Sequence, residues 1–255
     1  MSKSGGESHF YDDLFYAYIR EGAVRSARAL LPVVVHSLGV KSVLDIGCGA
    51  GAWLSEFQRL GISDFCGVDG EYVSGSALLI DDAKFIPRDI TKPFDFGRDF
   101  DLVECLEVAE HVPTEASRIL VDNIARHGKR VLFSAAVPGQ GGENHINEQP
   151  HEFWRDLFRE RGYRLFDFVR PAVQESSEIE SWYRYNVLFF AHDDIIGTLP
   201  SRVTAYRVPD HSAIRDFSPA WYRVQKTVMR MLPVRAVSGM AVLKHKLVTR
   251  RLRHR

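Results

Sequence analysis

The stretch VLDIGCGAG, residues 43–51, decides the fold of this chain. An apolar strand pattern over residues 42–46 runs directly into three glycines at alternate positions, and Ala52 then opens a helical pattern. Glycine permits both a tight turn and a close approach of the backbone to a ligand, and the N-terminus of a helix offers free N–H groups to a carboxylate. The stretch therefore predicts a strand, a ligand-binding turn and a helix, in that order.

Short apolar runs alternate with helical patterns along the rest of the chain. The predicted strands are residues 42–46, 65–68, 84–87, 100–104, 130–136, 163–169 and 185–191, and the clearest helices are 23–38, 52–60, 113–127 and 150–161. Strands that alternate with helices imply right-handed crossovers and a mainly parallel sheet. We therefore predict an α/β fold with a doubly wound, mainly parallel, seven-stranded Rossmann-like sheet and a C-terminal basic helical tail.

Four regions follow from this pattern and from the distribution of charge. We expect an N-terminal segment (1–22), the α/β domain (23–195), a linker (196–216) and a basic amphipathic helical tail (217–255). The 255-residue chain has 33 Lys and Arg against 33 Asp and Glu, but ten of the basic residues and none of the acidic ones follow Asp216. Residues 171–184 are polar and aromatic, and we expect them to form a lid or substrate loop.

The predicted location of the protein is cytoplasmic. Residues 1–8 lack an apolar core, and no stretch approaches the roughly 18 apolar residues that a membrane span needs. The three cysteines (Cys48, Cys66 and Cys105) lie in or beside apolar runs and are too scattered for a metal motif, so we expect reduced core thiols.

Two carboxylates follow the next strands at positions suited to a nucleoside. Asp69 comes twenty residues after Gly49, at the end of the second strand, where a carboxylate can accept hydrogen bonds from two ribose hydroxyls. Asp89 follows the third strand, where it can accept from an adenine amino group or take part in a plain turn. The spacing of Gly47, Gly49 and Ala52 also satisfies the dinucleotide pattern, so NAD remains an alternative on local spacing alone.

Together these residues resemble the motifs of class I S-adenosylmethionine (SAM)-dependent methyltransferases. Residues 43–51 look like the first motif of that family, and Asp69, Asp89 and the run 100–103 fall where its next three motifs belong. The resemblance covers residues 20–192 approximately and implies SAM as cofactor. The cofactor-binding residues it implies are Asp45, Gly47, Gly49, Gly51, Asp69, Asp89, Ile90 and Glu104.

A second constellation follows the fourth strand. Glu107, Glu110 and His111 have spacings of three and four, which place three side chains on one face of a helical turn. His145 follows the fifth strand and reaches the same rim if the two strands are neighbours. Two carboxylates and two imidazoles can form a partial shell for a divalent cation, with Mg²⁺ first and Mn²⁺ second because the carboxylates favour a hard ion.

This arrangement resembles the Mg²⁺ site of plant small-RNA 2′-O-methyltransferases, and a similar E-x-x-E-H turn occurs in ubiquinone-pathway O-methyltransferases that act on catechols. The resemblance implies a vicinal-diol substrate, metal ligation by Glu107, Glu110, His111 and His145, and catalytic roles for His111, His145 and Glu107. Two alternatives stay open: His111 or His145 is a metal-free general base, or residues 110–111 cap the helix that begins near Pro113.

The glycine-rich stretch 133–149, with the later aromatic residues, resembles a bacterial group of methyltransferases associated with surface-glycan and sugar modification. We therefore expect O-methylation of a hydroxyl on a saccharide or glycan precursor. Four aromatic residues could either stack on sugar rings or pack in the core: Trp154, Trp182, Tyr183 and Tyr185. The alternative substrates are a small catechol or other secondary metabolite and RNA, of which RNA is not expected because no recognised RNA-binding module is present. A non-catalytic SAM-binding protein is a further alternative.

The C-terminal tail has helical periodicity over residues 220–232 and 234–252, interrupted at Pro233. Val224, Val228, Met231 and Leu232 fall on one side and basic residues elsewhere. Such a segment can lie on an anionic membrane surface, which would make the protein peripheral to the inner face of the membrane. The alternative is a solvated or core-packed helix whose charges only face water.

Overall fold

The computed structural model describes residues 5–73 and 78–232, with side chains from Ile19 onward. Its strands are β1 (Ser42–Ile46), β2 (Asp64–Asp69), β3 (Phe85–Pro87), β4 (Leu102–Leu106), β5 (Arg130–Ser134), β6 (Tyr163–Phe166) and β7 (Leu188–His192). Its α-helices are α1 (Gly5–Leu38), α2 (Ala52–Arg59), α3 (Ser117–His127), α4 (His151–Arg159), α5 (Val169–Val173), α6 (Ser181–Asn186), α7 (Ser201–Thr204) and α8 (Ala220–Arg230).

The seven strands form one sheet in the order β3-β2-β1-β4-β5-β7-β6. Every neighbouring pair is parallel except the two that involve β7, which runs antiparallel to β5 and β6. The predicted seven-stranded, mainly parallel sheet is therefore confirmed. The strand order reverses between β1 and β4, and a doubly wound sheet binds its ligands beyond the carboxyl ends of the strands at such a switch point.

Two apolar layers cover the two faces of the sheet. One contains Leu30 of α1 and Leu54 of α2, and the other contains Leu120 of α3. The neighbouring residues Phe189 and Phe190 belong to different layers because successive side chains of a strand point to opposite faces. The sheet is buried on both sides, as a parallel sheet requires.

The segment predicted as a lid or substrate loop, residues 171–184, is partly helical and packs on the domain. This segment contains the end of α5 and most of α6, with Val173, Ile179 and Tyr183 buried in the core. The ring of Tyr183 packs edge-to-face on Trp53 of α2 at a centroid distance of 4.9 Å. Of its two aromatic residues, Tyr183 is buried and Trp182 is half-buried, and α6 also takes up the first residues of the predicted seventh strand.

Helix α1 begins at Gly5, well before the predicted start at residue 23. The region predicted as a linker packs on the domain, since Leu199, Val203 and Ile214 are buried. The predicted helix over residues 220–232 is confirmed as α8, whereas the one over residues 234–252 lies outside the described residues. Among the described helices, none is both long and apolar enough to cross a membrane.

Candidate functional site

The turn after β1 has the shape that its glycines predict. Gly47 has φ = +85°, in the region that favours glycine, and a Cβ atom placed on it would lie 2.3 Å from a methyl carbon of Val108. Any side chain at this position would therefore clash with the segment that follows β4. The absence of a side chain lets the β1 turn and the β4 turn approach each other at the carboxyl edge of the sheet.

Asp69, at the end of β2, closes this turn. Its carboxylate accepts hydrogen bonds from the backbone N–H of Gly49 (2.8 Å), the backbone N–H of Gly70 (2.7 Å) and the hydroxyl of Tyr72. The side chain is buried yet lines a cleft at the switch point of the sheet. Asp69 thus holds the glycine turn in place and also presents a carboxylate to a ligand in the cleft.

The cleft joins the predicted cofactor residues to the predicted chemistry residues. Its volume is about 640 Å³, and its lining includes Gly47, Asp69, Ile90, Glu107 and His111. Members of both sets therefore line one space, as a transfer between a cofactor and a second substrate requires, although Glu110 and His145 are not part of its lining.

Asp89 also lines the cleft, but its carboxylate has local partners. It accepts from the backbone N–H and the hydroxyl of Thr91 and forms an ion pair with Lys92 at 3.0 Å. The hydrogen bonds from Thr91 and then Lys92 lower the pKa of the Asp89 carboxyl. The structure thus shows the turn role that the sequence left open.

Asp45 and Glu104 form a buried pair of carboxyl groups on adjacent strands. They are paired in the register of β1 and β4, and their exposed fractions are 3% and 0%. Both oxygens of Glu104 are buried, and one of the two carboxyl groups must be protonated for them to hydrogen-bond to each other. Burial raises the pKa of Asp45 to about 8, and burial together with the charge of Asp45 raises the pKa of Glu104 well above its usual range. The pair therefore holds at least one proton at neutral pH.

Glu107 does not share a helical face with Glu110 and His111, so that prediction is wrong. The short 3₁₀ helix after β4 spans Ala109–His111, and Glu107 precedes it with φ = +54°. A residue in this left-handed conformation cannot continue a helical turn, although the carboxyl groups of Glu107 and Glu110 still lie close enough to interact.

The carboxylate of Glu107 is held by two amides. It accepts from the side chains of Gln140 (3.1 Å) and Asn186 (3.3 Å). Burial raises the pKa of Glu107 to about 7, although hydrogen bonds from Ser134, Asn186 and Gln140 oppose the shift. Sequence reasoning missed Gln140 and Asn186, because only the fold brings α6 to this side chain.

The structure brings the other three predicted metal ligands together. One ligand atom each from Glu110, His111 and His145 lies within 4.8 Å of the others, and the two imidazole rings are 4.9 Å apart. Nδ1 of His111 lies 3.2 Å from the carbonyl oxygen of Asn144, and Nδ1 of His145 lies 3.0 Å from a carboxylate oxygen of Glu148. Both partners only accept, so each neutral ring carries its proton on Nδ1 and keeps a lone pair on Nε2.

Glu110 completes this three-residue group. Its side chain is 1% exposed, and its Oε2 atom has no hydrogen-bond partner in the part of the chain that the structure describes. Burial and then the charge of Glu107 raise the pKa of Glu110 well above its usual range. An unpartnered, buried carboxylate oxygen beside two imidazoles suits a divalent cation. One oxygen and two nitrogens are a softer donor set than the sequence predicted, and they favour Mn²⁺ more than an all-carboxylate site would.

Glu148 is a residue whose role sequence reasoning missed. Besides His145, its carboxylate accepts from the backbone N–H groups of Gly139 and Gly141, each at 2.8 Å. Although burial opposes the shift, these hydrogen bonds lower the pKa of Glu148. The carboxylate thus fixes both the glycine-rich turn and the orientation of His145. Its spacing of three residues from His145 was the available sequence signal.

Stacking on a sugar ring is excluded for Trp154. It is fully buried, with its ring 5.2 Å from that of Phe133. Tyr183 and Tyr185 are also buried, and Trp182 is half-buried. Three of the four aromatic residues considered for this role are therefore core residues.

Comparisons with known proteins agree with this fold and cleft. A family model described as "Methyltransferase domain" matches residues 16–167. A protein of Stutzerimonas stutzeri named ubiquinone biosynthesis O-methyltransferase is 32% identical over 187 residues, which cover 67% of this chain and 73% of that protein.

Two solved structures share the fold. The sugar N-methyltransferase KedS8 of a Streptoalloteichus species has a TM-score of 0.55 and 18% identity, covering 71% of this chain and 92% of that one. The small RNA methyltransferase HEN1 has a TM-score of 0.50 and 18% identity, covering 65% of this chain and 25% of that one.

The sheet order, the glycine turn and the acidic residue after β2 define a class I SAM-dependent methyltransferase. The chain belongs to the methyltransferase-domain family, and SAM is its methyl donor. The names of its relatives at about 30% identity support transfer to an oxygen atom.

Proposed function

We propose that this enzyme transfers the methyl group of SAM to a hydroxyl of a saccharide or glycan precursor, at a vicinal diol held by a divalent cation. The observation that carries the proposal is the group Glu110, His111 and His145, of which His111 lines the same cleft as Asp69. The sequence predicts Mg²⁺. The observed donors, one oxygen and two nitrogens, favour Mn²⁺ more than an all-carboxylate site would.

Different residues of the chain would bind the cation and the cofactor. Nε2 of His111, Nε2 of His145 and the Glu110 carboxylate would hold the cation, which lowers the pKa of a hydroxyl bound beside it. Asp69 would accept hydrogen bonds from the ribose hydroxyls of SAM. In the transfer, an oxygen–carbon bond forms as the sulfur–carbon bond of SAM breaks, and S-adenosylhomocysteine leaves.

The hydroxyl proton also needs an acceptor. Glu107 lines the cleft, and its pKa of about 7 suits a group that accepts a proton near neutral pH. Gln140 and Asn186 hold its carboxylate in a fixed direction. We assign Glu107 the role of general base.

A hydroxyl-rich acceptor could use the polar side chains of the cleft. Alongside Asp69 and Glu107, the lining includes Arg88, whose guanidinium can donate hydrogen bonds to hydroxyl oxygens. The lining also includes Pro87, Ile90, Val108 and Val112, so the cleft presents both polar and apolar surface. The saccharide proposal therefore rests on the metal-ligand group and not on the polarity of the cleft.

A second candidate is O-methylation of a small catechol. It is favoured by the relative from Stutzerimonas stutzeri, whose name places it in ubiquinone biosynthesis. A catechol also presents two adjacent hydroxyls, so the same three ligands would serve it. In a metal-free version of this reaction, His111 or His145 would be the base.

The test is transfer of a labelled methyl group from SAM to matched acceptors. The panel contains nucleotide-linked sugars and oligosaccharides with vicinal hydroxyls, the corresponding deoxy sugars that lack one hydroxyl of the pair, and simple catechols. We expect methylation of a diol sugar and at least about a tenfold lower rate with its deoxy partner, because one of two oxygen contacts is lost. Methylation of catechols alone would replace the saccharide proposal with the second candidate.

Two variants connect this activity to the site. Glu110→Gln keeps the size of the side chain and removes its charge, so turnover should fall by at least about a hundredfold. Glu115→Gln makes the same chemical change at an exposed position five residues away and should leave turnover unchanged. Equal activity of both variants would contradict a role for Glu110.

A further inference from the structure

Helix α8 carries its apolar residues on the outside. Trp221, Val224 and Val228 in the helix and Met231 directly after it are exposed to 66%, 63%, 53% and 79%, and their spacing places them within an arc of about 80°. We call these four residues the α8 stripe. A helix on the surface of a globular protein normally turns such a stripe toward the core.

The opposite side of α8 is the one attached to the domain, and it is polar and aromatic. Lys226 is buried and forms an ion pair with Asp216 at 2.8 Å. Tyr222 packs against the ring of Tyr185 at a centroid distance of 5.9 Å. Because these contacts fix the rotation of the helix about its axis, the stripe faces away from the domain.

The attachment point belongs to the rim of the candidate active site. A Cβ atom on Gly139 would lie 2.2 Å from the carbonyl oxygen of Lys226, and the guanidinium of Arg230 donates to the carbonyl of Pro138 at 2.8 Å. Gly139 is one of the residues that the carboxylate of Glu148 holds. The helix that carries the stripe is therefore packed directly on the turn beside His145.

The charge around the stripe indicates what it binds. Within α8, Arg223 and Arg230 are exposed on one side of the stripe, about 80 to 100° around the helix from its nearest residue. The following residues, 233–255, contain seven Lys and Arg and no Asp or Glu. An apolar stripe with Trp, on a helix that carries exposed cations and no acidic residues and is followed by a basic sequence, suits the interface of an anionic bilayer. A second copy of the chain would bring the same basic residues, so charge complementarity disfavours it.

We propose that the α8 stripe is a docking surface for an anionic lipid membrane. Trp221, Val224, Val228 and Met231 enter the boundary between headgroups and acyl chains, and the basic residues contact lipid phosphates. Docking there places the rim that includes Gly139 beside the membrane surface. This inference does not depend on which acceptor the enzyme methylates.

The first test is co-flotation of the full chain with vesicles. Binding to phosphatidylcholine vesicles that contain phosphatidylglycerol is compared with binding to phosphatidylcholine alone, at low and high salt. We expect binding to the anionic vesicles that weakens at high salt. The double variant Val224→Ser/Val228→Ser should bind at least about tenfold more weakly, because both side chains lose their apolar contact with lipid. The control Gln225→Ser/Thr227→Ser changes two exposed polar residues of the same helix and should bind like the parent.

The second test uses Trp221 in the unaltered protein. Trp53 and Trp154 are buried and Trp182 is half-buried, so lipids brominated on their acyl chains should quench mainly Trp221. We expect this quenching to disappear in Trp221→Phe, which keeps an apolar ring for docking. Unchanged vesicle binding by the Val224/Val228 variant, or absence of quenching, would overturn the proposal. A concentration-dependent dimer that the same variant abolishes, without vesicle binding by the parent, would assign the stripe to a second copy instead.

Discussion

Replacing Asp69 by alanine is the sharpest test of the cofactor site. The carboxylate has two roles in the structure: it accepts from the N–H of Gly49 at 2.8 Å, and it faces the cleft where the ribose of SAM would lie. Loss of a charged hydrogen-bond acceptor costs about 1.5 to 3 kcal/mol. This corresponds to a SAM dissociation constant about 10 to 150 times higher, before any loosening of the glycine turn is added.

The assay is calorimetric titration of SAM into the parent, Asp69→Ala and Asp69→Asn. The asparagine keeps the size and one acceptor oxygen, so its affinity should fall between those of the other two proteins. Thermal unfolding of each variant separates a binding defect from a folding defect. A folded Asp69→Ala protein that binds SAM within about threefold of the parent would refute the assignment, since this change is well below the energy of one charged hydrogen bond. Tight binding of NAD with no heat from SAM would refute the cofactor itself.

Two further predictions concern the glycine turn and the carboxyl pair behind it. Gly47→Ala should destabilise the protein by more than Gly39→Ala, because both residues have positive φ but only at Gly47 would the added Cβ clash with a side chain, that of Val108. Chemical denaturation measures the difference in the free energy of unfolding. Equal losses would show that backbone strain alone matters. The folded-state pKa of Asp45, about 8, lies above its ordinary value of 3.8, so its protonation stabilises the fold fully at low pH, and this stability is lost as pH rises from about 4 to about 8. Glu104→Gln gives Asp45 an amide donor in place of a carboxyl group, and the free energy of unfolding should then fall less over this interval. A pH dependence identical to that of the parent would contradict the account of the pair.

The sheet and the glycine turn could be predicted because local patterns determine them. Strand β1 has the predicted bounds, Ser42–Ile46, since an apolar run followed by alternate glycines leaves few other conformations. Asp69 was found by its distance from the glycines, which the length of the intervening helix and strand sets. Residues at the carboxyl ends of adjacent parallel strands lie close together, so no further information is needed to predict their proximity.

The differences from the predictions came from features that depend on tertiary contacts. The positive φ of Glu107 redirects its side chain toward Gln140 and Asn186, and no spacing rule reveals it. The segment predicted as a lid has the composition of a loop, yet Tyr183 packs on Trp53. For α8, periodicity identified the apolar side but could not show that an ion pair of Lys226 would turn that side outward.

The central claim is that Glu110, His111 and His145 bind a divalent cation, and direct measurement of Mn²⁺ binding tests it. The electron paramagnetic resonance signal of free Mn²⁺ is measured while each protein is added in turn: the parent, Glu110→Gln, His145→Ala and the control Glu115→Gln. We predict saturable binding by the parent and the control, at least about tenfold weaker binding by His145→Ala, and a larger loss for Glu110→Gln because it removes the negative ligand. In the same samples, a chelator should abolish methyl transfer without reducing SAM affinity, and added Mg²⁺ or Mn²⁺ should restore it. Equal Mn²⁺ binding by all four proteins, or methyl transfer that persists in excess chelator, would contradict the claim and leave a histidine base as the catalyst.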